Sequence, residues 1–366
     1  MGIPFTQQFS VARHVICQKL QRRKRYPLVL MLEPLFRCNL SCAGCGKIDY
    51  PEEVLNRRLS VDECLSAVEE CGSPIVSIAG GEPLIHKDMP QIVAGIVRGK
   101  KFVYLCTNGL LLHTHIEDFT PSVYLTISIH LDGNRERHDA LAGQSGVYDR
   151  AVEAIRLARS RGFRVTVNCT LYDGMTAQET AGHLDFVMSL GVEGITVSPG
   201  FFYVQAPQKE LFLNCARSKQ LFRDIFKIGR ERKWRFNQSS LFLDFLSGNQ
   251  SYQCTPWGNP TRNIFGWQRP CYLFVGESYA SSFKAFMEET DWNRYGRGRN
   301  SKCANCMMHC GFEPTAVNDA LAHPFKALSV YLRGPAIDGP MAPELAIAYP
   351  ESEPGHPVKI EAGGLH

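Results

Sequence analysis

Between residues 28 and 228 the chain alternates short apolar, β-branched runs with longer stretches whose apolar positions recur every three or four residues. The first pattern is typical of buried strands and the second of amphipathic helices. The predicted strands are residues 28–33, 75–79, 102–106, 123–129, 164–171 and 195–198. The predicted helices lie near residues 61–71, 89–98, 148–161, 177–190 and 215–233.

This alternation predicts an α/β fold with a parallel sheet covered by crossover helices. Ser60 is followed three residues later by Glu63, a capping-box pattern that should open the first of these helices. Six strand–helix units indicate a partial (β/α)6 TIM-like barrel rather than the closed eight-fold form.

A separate amphipathic pattern precedes the barrel. Phe9, Ala12, Ile16 and Leu20 recur at helical spacing, and residues 22–25 are all basic. We therefore predict a basic amphipathic N-terminal helix within residues 1–26. Such a helix can lie on anionic lipid and bring the barrel mouth to it, or it can cap the barrel with its charges solvated. The sequence leaves both interpretations open.

The regular pattern ends near Trp234, which sets the predicted domain boundaries. Residues 27–233 form the barrel, 234–340 a Cys-rich C-terminal extension, and 341–366 a flexible tail rich in Pro, Gly and Glu. Two apolar clusters, residues 201–204 and 241–246, either line an apolar cavity or belong to the ordinary core.

Composition excludes some classes of protein. The chain has 366 residues, of which 44% are hydrophobic, and a net charge of only +4, which argues against general nucleic-acid binding. No apolar run approaches the ~18 residues that span a bilayer. Fourteen cysteines without a preceding signal peptide indicate metal or catalytic thiols in a reducing compartment. We expect a cytoplasmic protein, with peripheral attachment to the inner face of the cell membrane left open.

Cys38, Cys42 and Cys45 stand directly after the first predicted strand, in RCNLSCAGCGK. Thiolates ligate iron–sulfur clusters, and a 4Fe–4S cluster has four irons to hold. Three local thiolates leave one iron open for a substrate or cofactor, whereas an electron carrier usually closes all four positions. A zinc half-site or unconnected thiols are the alternatives, but no suitable partner follows Cys45 at zinc-knuckle spacing.

Glycine and polar residues follow the other predicted strands, at the sheet edge where chemistry collects in such barrels. They are Gly80, Gly81, Glu82 and Pro83 after the second strand, Cys106 and Asn108 at the third, Ser128 at the fourth and Asn168 at the fifth. Glycines at a strand end let the backbone approach a ligand closely. For the polar residues, simple capping of strand ends is the alternative.

The C-x3-C-x2-C spacing together with GGEP one strand later resembles the radical S-adenosylmethionine superfamily. The resemblance implies a barrel of the radical SAM type with a 4Fe–4S cluster on the three cysteines, its open iron binding S-adenosylmethionine. It further implies that residues 80–83 receive the methionine amino group. Ser128, Asn168 and Asn108 would then contact the rest of the cofactor. A reducing electron donor such as flavodoxin or ferredoxin is implied as a partner.

Longer blocks, including SIAGGEPLIHKDMP, KFVYLCTNG, SIHLDG and CTPWGNPTRNIFGWQRPCYL, resemble the adenosylhopane synthases of hopanoid biosynthesis. This resemblance runs from about Pro4 to Pro343. It implies that the 5′-deoxyadenosyl radical adds to the terminal alkene of diploptene, forming a C–C bond. Each buried CH2 of such a lipid contributes ~0.8 kcal/mol to leaving water, so the enzyme needs an apolar cavity and a route from a membrane.

Adding a radical to an alkene leaves an alkyl radical that must gain a hydrogen atom, and a thiol has the weakest bond to hydrogen among side chains. Cys106, at the end of the third predicted strand, is the candidate catalytic donor. Cys169 should point to the opposite face of the sheet because it follows Asn168 directly. The alternative is that Cys106 is merely a small packed residue.

Five further cysteines occupy the C-terminal extension, in an arrangement that resembles auxiliary-cluster extensions of some radical SAM enzymes. They are Cys254, Cys271, Cys303, Cys306 and Cys310. Four of them could hold a second iron–sulfur cluster or a zinc ion. Two other functions stay open: a radical SAM enzyme that modifies a peptide, and a non-catalytic iron–sulfur electron carrier.

Overall fold

The computed structural model describes residues 2–201, 206–274 and 277–343. Its strands are β1 (Val29–Glu33), β2 (Ile75–Ile78), β3 (Phe102–Thr107), β4 (Leu125–His130), β5 (Arg164–Leu171), β6 (Gly194–Pro199), β7 (Thr261–Asn263), β8 (Gly266–Gln268) and β9 (Tyr279–Ala280). Its helices are α1 (Phe5–Leu20), α2 (Glu52–Leu55), α3 (Val61–Cys71), α4 (Met89–Arg98), α5 (Leu112–His115), α6 (Arg135–Ala142), α7 (Val147–Ser160), α8 (Ala177–Ser189), α9 (Cys215–Gly229), α10 (Ser240–Leu246), α11 (Phe283–Glu289), α12 (His309–Ala322) and α13 (Pro324–Arg333).

The strands form one sheet in the order β6-β5-β4-β3-β2-β1-β7-β8-β9. Neighbours from β6 to β1 are all parallel, which confirms the partial barrel and its six strands to within two residues at each end. The C-terminal extension continues this sheet, because β7 pairs in parallel with β1 and β8 and β9 follow antiparallel.

Alternation along the strands separates two environments. In β3, Val103 and Leu105 are fully buried in the core between sheet and helices. Tyr104 and Cys106 instead line a cavity inside the barrel. The chemistry-bearing side chains of the strands therefore face inward.

The predicted start of α3 is confirmed in detail. The Ser60 hydroxyl accepts a hydrogen bond from the Glu63 amide, and the Glu63 carboxylate accepts one from the Ser60 amide. The helix ends at Gly72, whose φ of +67° is a left-handed conformation that glycine adopts without a side-chain clash. By contrast, α9 ends at Gly229, four residues before its predicted end.

The side of the partial barrel between β6 and β1 is covered by α12, which the sequence reading did not predict. His309, at its start, contacts the Ser198 hydroxyl of β6 through Nδ1 at 3.0 Å. Further along, Asn318 accepts a hydrogen bond of 2.5 Å from Tyr26, just before β1. Pro314 lies inside this helix and interrupts the usual sequence signal.

The predicted N-terminal helix is confirmed as α1, but it lies at the amino-terminal end of the strands, opposite the cysteine motif. Gln7 donates a 2.9 Å hydrogen bond to the Tyr104 hydroxyl inside the barrel, and His14 contacts the Pro27 carbonyl before β1. The expectation that this helix brings the cysteine-lined mouth to lipid is therefore wrong, because α1 lies at the other end.

The second apolar cluster of the sequence is ordinary core. The side chains of α10 pack with Tyr252 and Phe312, and Phe245 stacks on Phe312 with 4.5 Å between ring centroids. The interpretation of residues 241–246 as cavity lining is wrong. Phe201 packs near the C-terminal cysteines, whereas residues 202–204 and most of the predicted tail, 344–366, lie outside the described residues.

Candidate functional site

A cavity of about 840 Å³ runs through the barrel from the carboxyl ends of the strands to α1. Its cysteine end is lined by Cys38, Cys42, Cys45, Gly80, Gly81, Glu82, Asn108 and Asp132, its middle by Ser77, Cys106, Ser128 and Asn168, and its far end by Gln7, Val11, Leu28, Ile75, Leu328 and Tyr331. Nearly all of the predicted barrel site residues thus line one cavity of a size typical of small-molecule sites.

The three motif cysteines lie on the loop after β1 and are partly buried. Burial raises the pKa of the Cys38 thiol to about 11. It also raises the pKa of the Cys42 thiol to about 12, to which the neighbouring Cys45 and Cys38 thiols contribute. Clustered thiols that resist ionisation in this way become ligands when a metal compensates the thiolate charge.

In the part of the chain that the structure describes, no group of three or more His, Cys, Asp or Glu side chains is arranged to hold one metal ion. A 4Fe–4S cluster has a different requirement, because each cysteine binds a separate iron. The thiols of its ligands need not converge on a single point.

The two glycines of the GGEP motif bring their backbone against the cysteine loop. Gly81 donates a hydrogen bond to the Leu35 carbonyl at 3.0 Å, and Glu82 donates one to the Arg37 carbonyl at 2.9 Å. A Cβ atom on Gly81 would lie only 2.0 Å from that Arg37 oxygen. The glycines therefore fix the position of the loop that carries Cys38, in addition to bordering the cavity.

Glu82 is almost fully buried and joins the GGEP motif to the end of β3. Its carboxylate accepts hydrogen bonds from the Thr107 hydroxyl at 2.8 Å and from the Asn108 and Leu84 amides. Asn108 in turn donates a 2.8 Å hydrogen bond to Asn39, the neighbour of Cys38. Burial raises the pKa of Glu82, although these donors oppose the shift. Glu82 thus positions Asn108 beside the cysteine loop.

Replacing Glu82 by Gln is expected to destabilise this corner, because an amide loses the charge and one acceptor where three donors converge. We expect the free energy of unfolding in urea to fall by about 2 kcal/mol. Glu52→Gln is the matched control, since Glu52 is exposed and its ion pair with Arg37 should contribute less than about 1 kcal/mol. Equal effects of the two changes would contradict the role given to Glu82.

Cys106 lies in the middle of the cavity. Its sulfur is 3.5 Å from the Ser77 hydroxyl on β2. Cys106 also lies opposite Ser128 on the neighbouring strand β4. Burial raises the pKa of Cys106, so the thiol keeps its proton near neutral pH. Cys169 lies on the outer face of β5, buried in the core, as predicted.

Ser128 and Asn168 line the cavity but are not at strand ends, because β4 extends to His130 and β5 to Leu171. The residues at the end of β4 that sequence reasoning missed are His130 and Asp132. The ring nitrogen Nε2 of His130 lies 2.6 Å from the Asp132 carboxylate. Burial lowers the pKa of His130, but the charge of Asp132 and its hydrogen bond to the ring together outweigh burial, so the net shift of this pKa is upward. The sequence signal that could have identified this pair is the His and Asp of SIHLDG, at the end of an apolar strand.

Two other charged groups line the cavity. Lys47 forms a 2.9 Å ion pair with Glu33, and both side chains are nearly buried. Glu313, on α12, accepts a hydrogen bond from the Ser239 amide, and burial raises its pKa to about 7. Lys47 ends the cysteine motif RCNLSCAGCGK, but the sequence analysis gave no role to Lys47, Glu33 or Glu313.

The five C-terminal cysteines surround a second, much smaller cavity of about 30 Å³. Gly296 donates a backbone hydrogen bond to the Cys303 sulfur at 3.4 Å. A Cβ atom on Gly311 would lie 2.3 Å from the Cys254 sulfur, so only glycine fits there. Aromatic and apolar side chains, including Phe274 and Tyr295, border the same space. The structure thus brings together all five of the predicted auxiliary residues.

Comparison with known families fits this architecture. Residues 32–187 match the family model of the radical SAM superfamily, and residues 195–330 match a domain of unknown function, DUF3463. The family match and the curated relatives make this chain similar to the radical SAM superfamily over the residues that form the barrel.

Among curated proteins, the chain is similar to GTP 3′,8-cyclase of Aquifex aeolicus, with 30% identity over 47% of this chain and 57% of that protein. It is also similar to Fe-coproporphyrin III synthase of Methanosarcina barkeri, with 30% identity over 37% of this chain and 35% of that protein. The chain thus spans less than two thirds of the length of either relative.

Solved structures share the fold at low identity. SuiB of Streptococcus suis bound to S-adenosylmethionine superposes with a TM-score of 0.62 and 20% identity, over 80% of this chain and 74% of that one. Native anSMEcpe with bound AdoMet superposes with a TM-score of 0.53 and 15% identity, over 83% and 99% of the two chains.

Similarity to the radical SAM superfamily implies a 4Fe–4S cluster and S-adenosylmethionine as cofactors. The donor set fits them: three soft thiols lie on one loop, and polar groups surround the adjoining end of the cavity. Cys38, Cys42 and Cys45 are the residues that would hold the cluster. Asn108, Ser128 and Asn168 are predicted to contact S-adenosylmethionine.

Proposed function

We propose that this protein adds the 5′-deoxyadenosyl group to the alkene of the triterpene diploptene, as an adenosylhopane synthase. The observation that carries the proposal is the position of Cys106. Its thiol lies midway along the cavity, between the cysteine-lined end and an end lined largely by apolar side chains. A hydrogen-atom donor in this place would face the junction between cofactor and lipid.

The far half of the cavity suits a hydrocarbon. Val11, Leu28 and Ile75 line it, together with apolar residues of α12 and α13. Some polar groups there are paired within the protein, as in the hydrogen bond between Gln7 and Tyr104, whereas one carboxylate oxygen of Glu313 has no hydrogen-bond partner. The raised pKa of Glu313, about 7, also lessens the charge that a hydrocarbon would meet.

When bound and reduced, the cluster and S-adenosylmethionine supply the 5′-deoxyadenosyl radical. Its addition to the alkene forms the new C–C bond and leaves the unpaired electron on the lipid. The Cys106 S–H bond then breaks, a C–H bond forms on the product, and Cys106 becomes a thiyl radical. One electron from a low-potential protein donor, such as flavodoxin or ferredoxin, and one proton restore the thiol. The high pKa of Cys106 keeps the S–H form available between turnovers.

The experiment that tests this function uses the anaerobically reconstituted and reduced protein with S-adenosylmethionine and diploptene. Mass spectrometry should detect a lipid–adenosine adduct that takes up one deuterium atom from D2O, because thiol protons exchange with solvent. Formation of 5′-deoxyadenosine without any adduct would overturn the lipid substrate while leaving the radical chemistry in place.

A peptide-modifying enzyme is the runner-up, and the structural neighbours include SuiB bound to its precursor peptide SuiA. A polypeptide substrate needs an open groove into the barrel. Here α12 covers the gap beside β6 through the contact of His309 with Ser198, and α1 covers one end. A largely apolar cavity bordered by these helices favours a compact hydrophobic substrate, and a modified peptide in the assay would reverse this preference.

We further propose that the extension, residues 234–340, holds a second iron–sulfur cluster on four of its five cysteines. Burial raises the pKa of Cys271 to about 12 and that of Cys303 to about 11, with Cys303 adding to the shift at Cys271. Five thiols surround one small cavity that is bordered by aromatic rings. Four of these thiols are enough to ligate an iron–sulfur cluster.

Iron analysis of the reconstituted protein tests this second site. We expect about eight irons per chain, and about four in a variant in which Cys38, Cys42 and Cys45 are all alanine. Cys17→Ala, which removes an exposed thiol outside both groups, should leave the count unchanged. About four irons in the unmodified protein and none in the triple variant would contradict a second cluster.

A further inference from the structure

Exposed apolar side chains are concentrated at one end of the molecule. Among the described residues ten large apolar side chains are exposed, and nine of them lie on α1, at the end of α12 or on α13. They are Phe5, Phe9, Ile16, Leu20, Leu321, Phe325, Leu328, Tyr331 and Leu332. Phe325 is 85% exposed and Phe5 79%. Single exposed apolar residues are common on protein surfaces. A group of nine indicates a surface that binds a partner or a membrane.

The helix α13 shows the same property by itself. Its sequence, PFKALSVYLR, is largely apolar, yet none of its ten residues is buried. Only Ala327 and Val330 pack partly against the core. The rest of the helix keeps its apolar side chains outside the protein, where water is an unfavourable neighbour.

The charges on α1 and in the segment directly after it all have one sign. Six basic residues, Arg13, Lys19, Arg22, Arg23, Lys24 and Arg25, precede Glu33, the first acidic residue of the chain. All six are exposed. His14, on α1, has a pKa lowered by burial and, to a lesser extent, by Lys101, Arg23 and Arg13. This end of the barrel therefore combines apolar side chains with a group of exposed positive charges, which suits an anionic lipid surface.

The cavity opens at the same place. Gln8, Val11 and Ala12 of α1 line it, as do Leu328 and Tyr331 of α13. Leu328 is 52% exposed and Tyr331 47%, so these two side chains border both the cavity and the outside. The opening lies at the amino-terminal end of the strands, away from Cys38, Cys42 and Cys45.

We propose that α1 and α13 together form the surface that docks on an anionic bilayer, and that the lipid substrate enters between them. This inference rests on the proposed function for the identity of the substrate, but the docking itself does not. Substrate and S-adenosylmethionine then reach Cys106 from opposite ends of the barrel. The membrane never meets the cysteine-lined end, which stays accessible to the electron donor.

Sedimentation with vesicles of mixed phosphatidylglycerol and phosphatidylcholine tests the docking surface without any turnover. The unmodified protein should bind these vesicles and lose binding at high salt. Two double variants, Phe325→Ser with Leu332→Ser and Lys19→Glu with Lys24→Glu, should each weaken binding by roughly tenfold or more. Arg156→Glu, a charge reversal on the exposed side of α7, is the matched control and should leave binding unchanged.

The apolar contact has its own readout. Phe325→Trp should keep vesicle binding, and the added indole should shift its emission to shorter wavelength on vesicles of the same composition. Unchanged binding in both double variants, or an unshifted emission, would overturn the docking surface. A dimer in solution, well above the 41.0 kDa of one chain, that Phe325→Ser with Leu332→Ser dissociates would instead assign this face to a second copy.

Entry between the helices is tested with a bulky side chain at the opening. Ala12→Trp should leave vesicle binding unchanged and lower conversion of vesicle-borne diploptene by roughly tenfold or more. Conversion at the unmodified rate would overturn this route. Vesicle binding without any adduct in the unmodified protein would remove the proposed function alone, whereas conversion of detergent-dispersed diploptene without vesicle binding would remove the docking surface alone.

Discussion

Replacement of Cys38, Cys42 or Cys45 by alanine is expected to abolish turnover and to remove the absorbance of the barrel cluster. In the proposed cluster each cysteine would bind its own iron, so the loss of one would leave a second iron without a protein ligand. The three thiols are carried on one loop held by hydrogen bonds from Gly81 and Glu82, and no described cysteine other than Cys106 lines the same cavity. Anaerobic absorption spectra and 5′-deoxyadenosine formation measure the two effects.

Cys17→Ala is the control for this series, because Cys17 is exposed on α1 and borders neither group of cysteines. It should leave both the spectrum and turnover unchanged. Formation of 5′-deoxyadenosine at the normal rate in any of the three single variants would contradict the assignment of the cluster ligands.

Replacement of Cys106 by alanine should separate two steps that the proposed function couples. Cleavage of S-adenosylmethionine should continue, because Cys106 is distant in the chain from the cluster loop and holds no cluster ligand role. Formation of the saturated adduct should fall by roughly tenfold or more, since the lipid radical loses its hydrogen donor. By-products of that radical should accumulate and be visible by mass spectrometry.

Two companion variants sharpen this prediction. Cys106→Ser keeps the size and polarity of the side chain but offers an O–H bond too strong to donate a hydrogen atom, so it should resemble alanine. Cys169→Ala changes a buried cysteine on the outer face of the neighbouring strand and should keep adduct formation. The same saturated product at the normal rate in Cys106→Ser would leave Cys106 with a packing role only.

The barrel could be predicted from sequence because its strands and helices have distinct periods. Apolar runs bounded by turns located β1 to β6, and the Ser60–Glu63 pair located the start of α3. The order of these strands then placed the cysteine motif and the GGEP motif at one edge of the sheet. Physical rules of connection gave that result without any knowledge of the side-chain contacts.

The position of two site residues within their strands and the closure of the barrel were not predictable in the same way. Ser128 and Asn168 lie inside β4 and β5 rather than at their ends, because polar residues that face the cavity continue both strands. Pro314 lies inside α12, and apolar residues occur all round this helix, so its sequence lacks the usual helical spacing of apolar positions. Both faces of α10 are buried, so its sequence reads as a uniform apolar run that fits cavity lining as well as core.

The most direct measurement is electron paramagnetic resonance of the reduced barrel cluster, in a variant whose C-terminal cysteines are replaced, before and after addition of S-adenosylmethionine labelled with 15N in its amino group. The donor set of Cys38, Cys42 and Cys45 predicts that one iron is free of protein ligands. The spectrum should therefore change on addition, and a hyperfine coupling to the labelled nitrogen should appear. An unchanged spectrum without that coupling would show that the fourth iron is already capped.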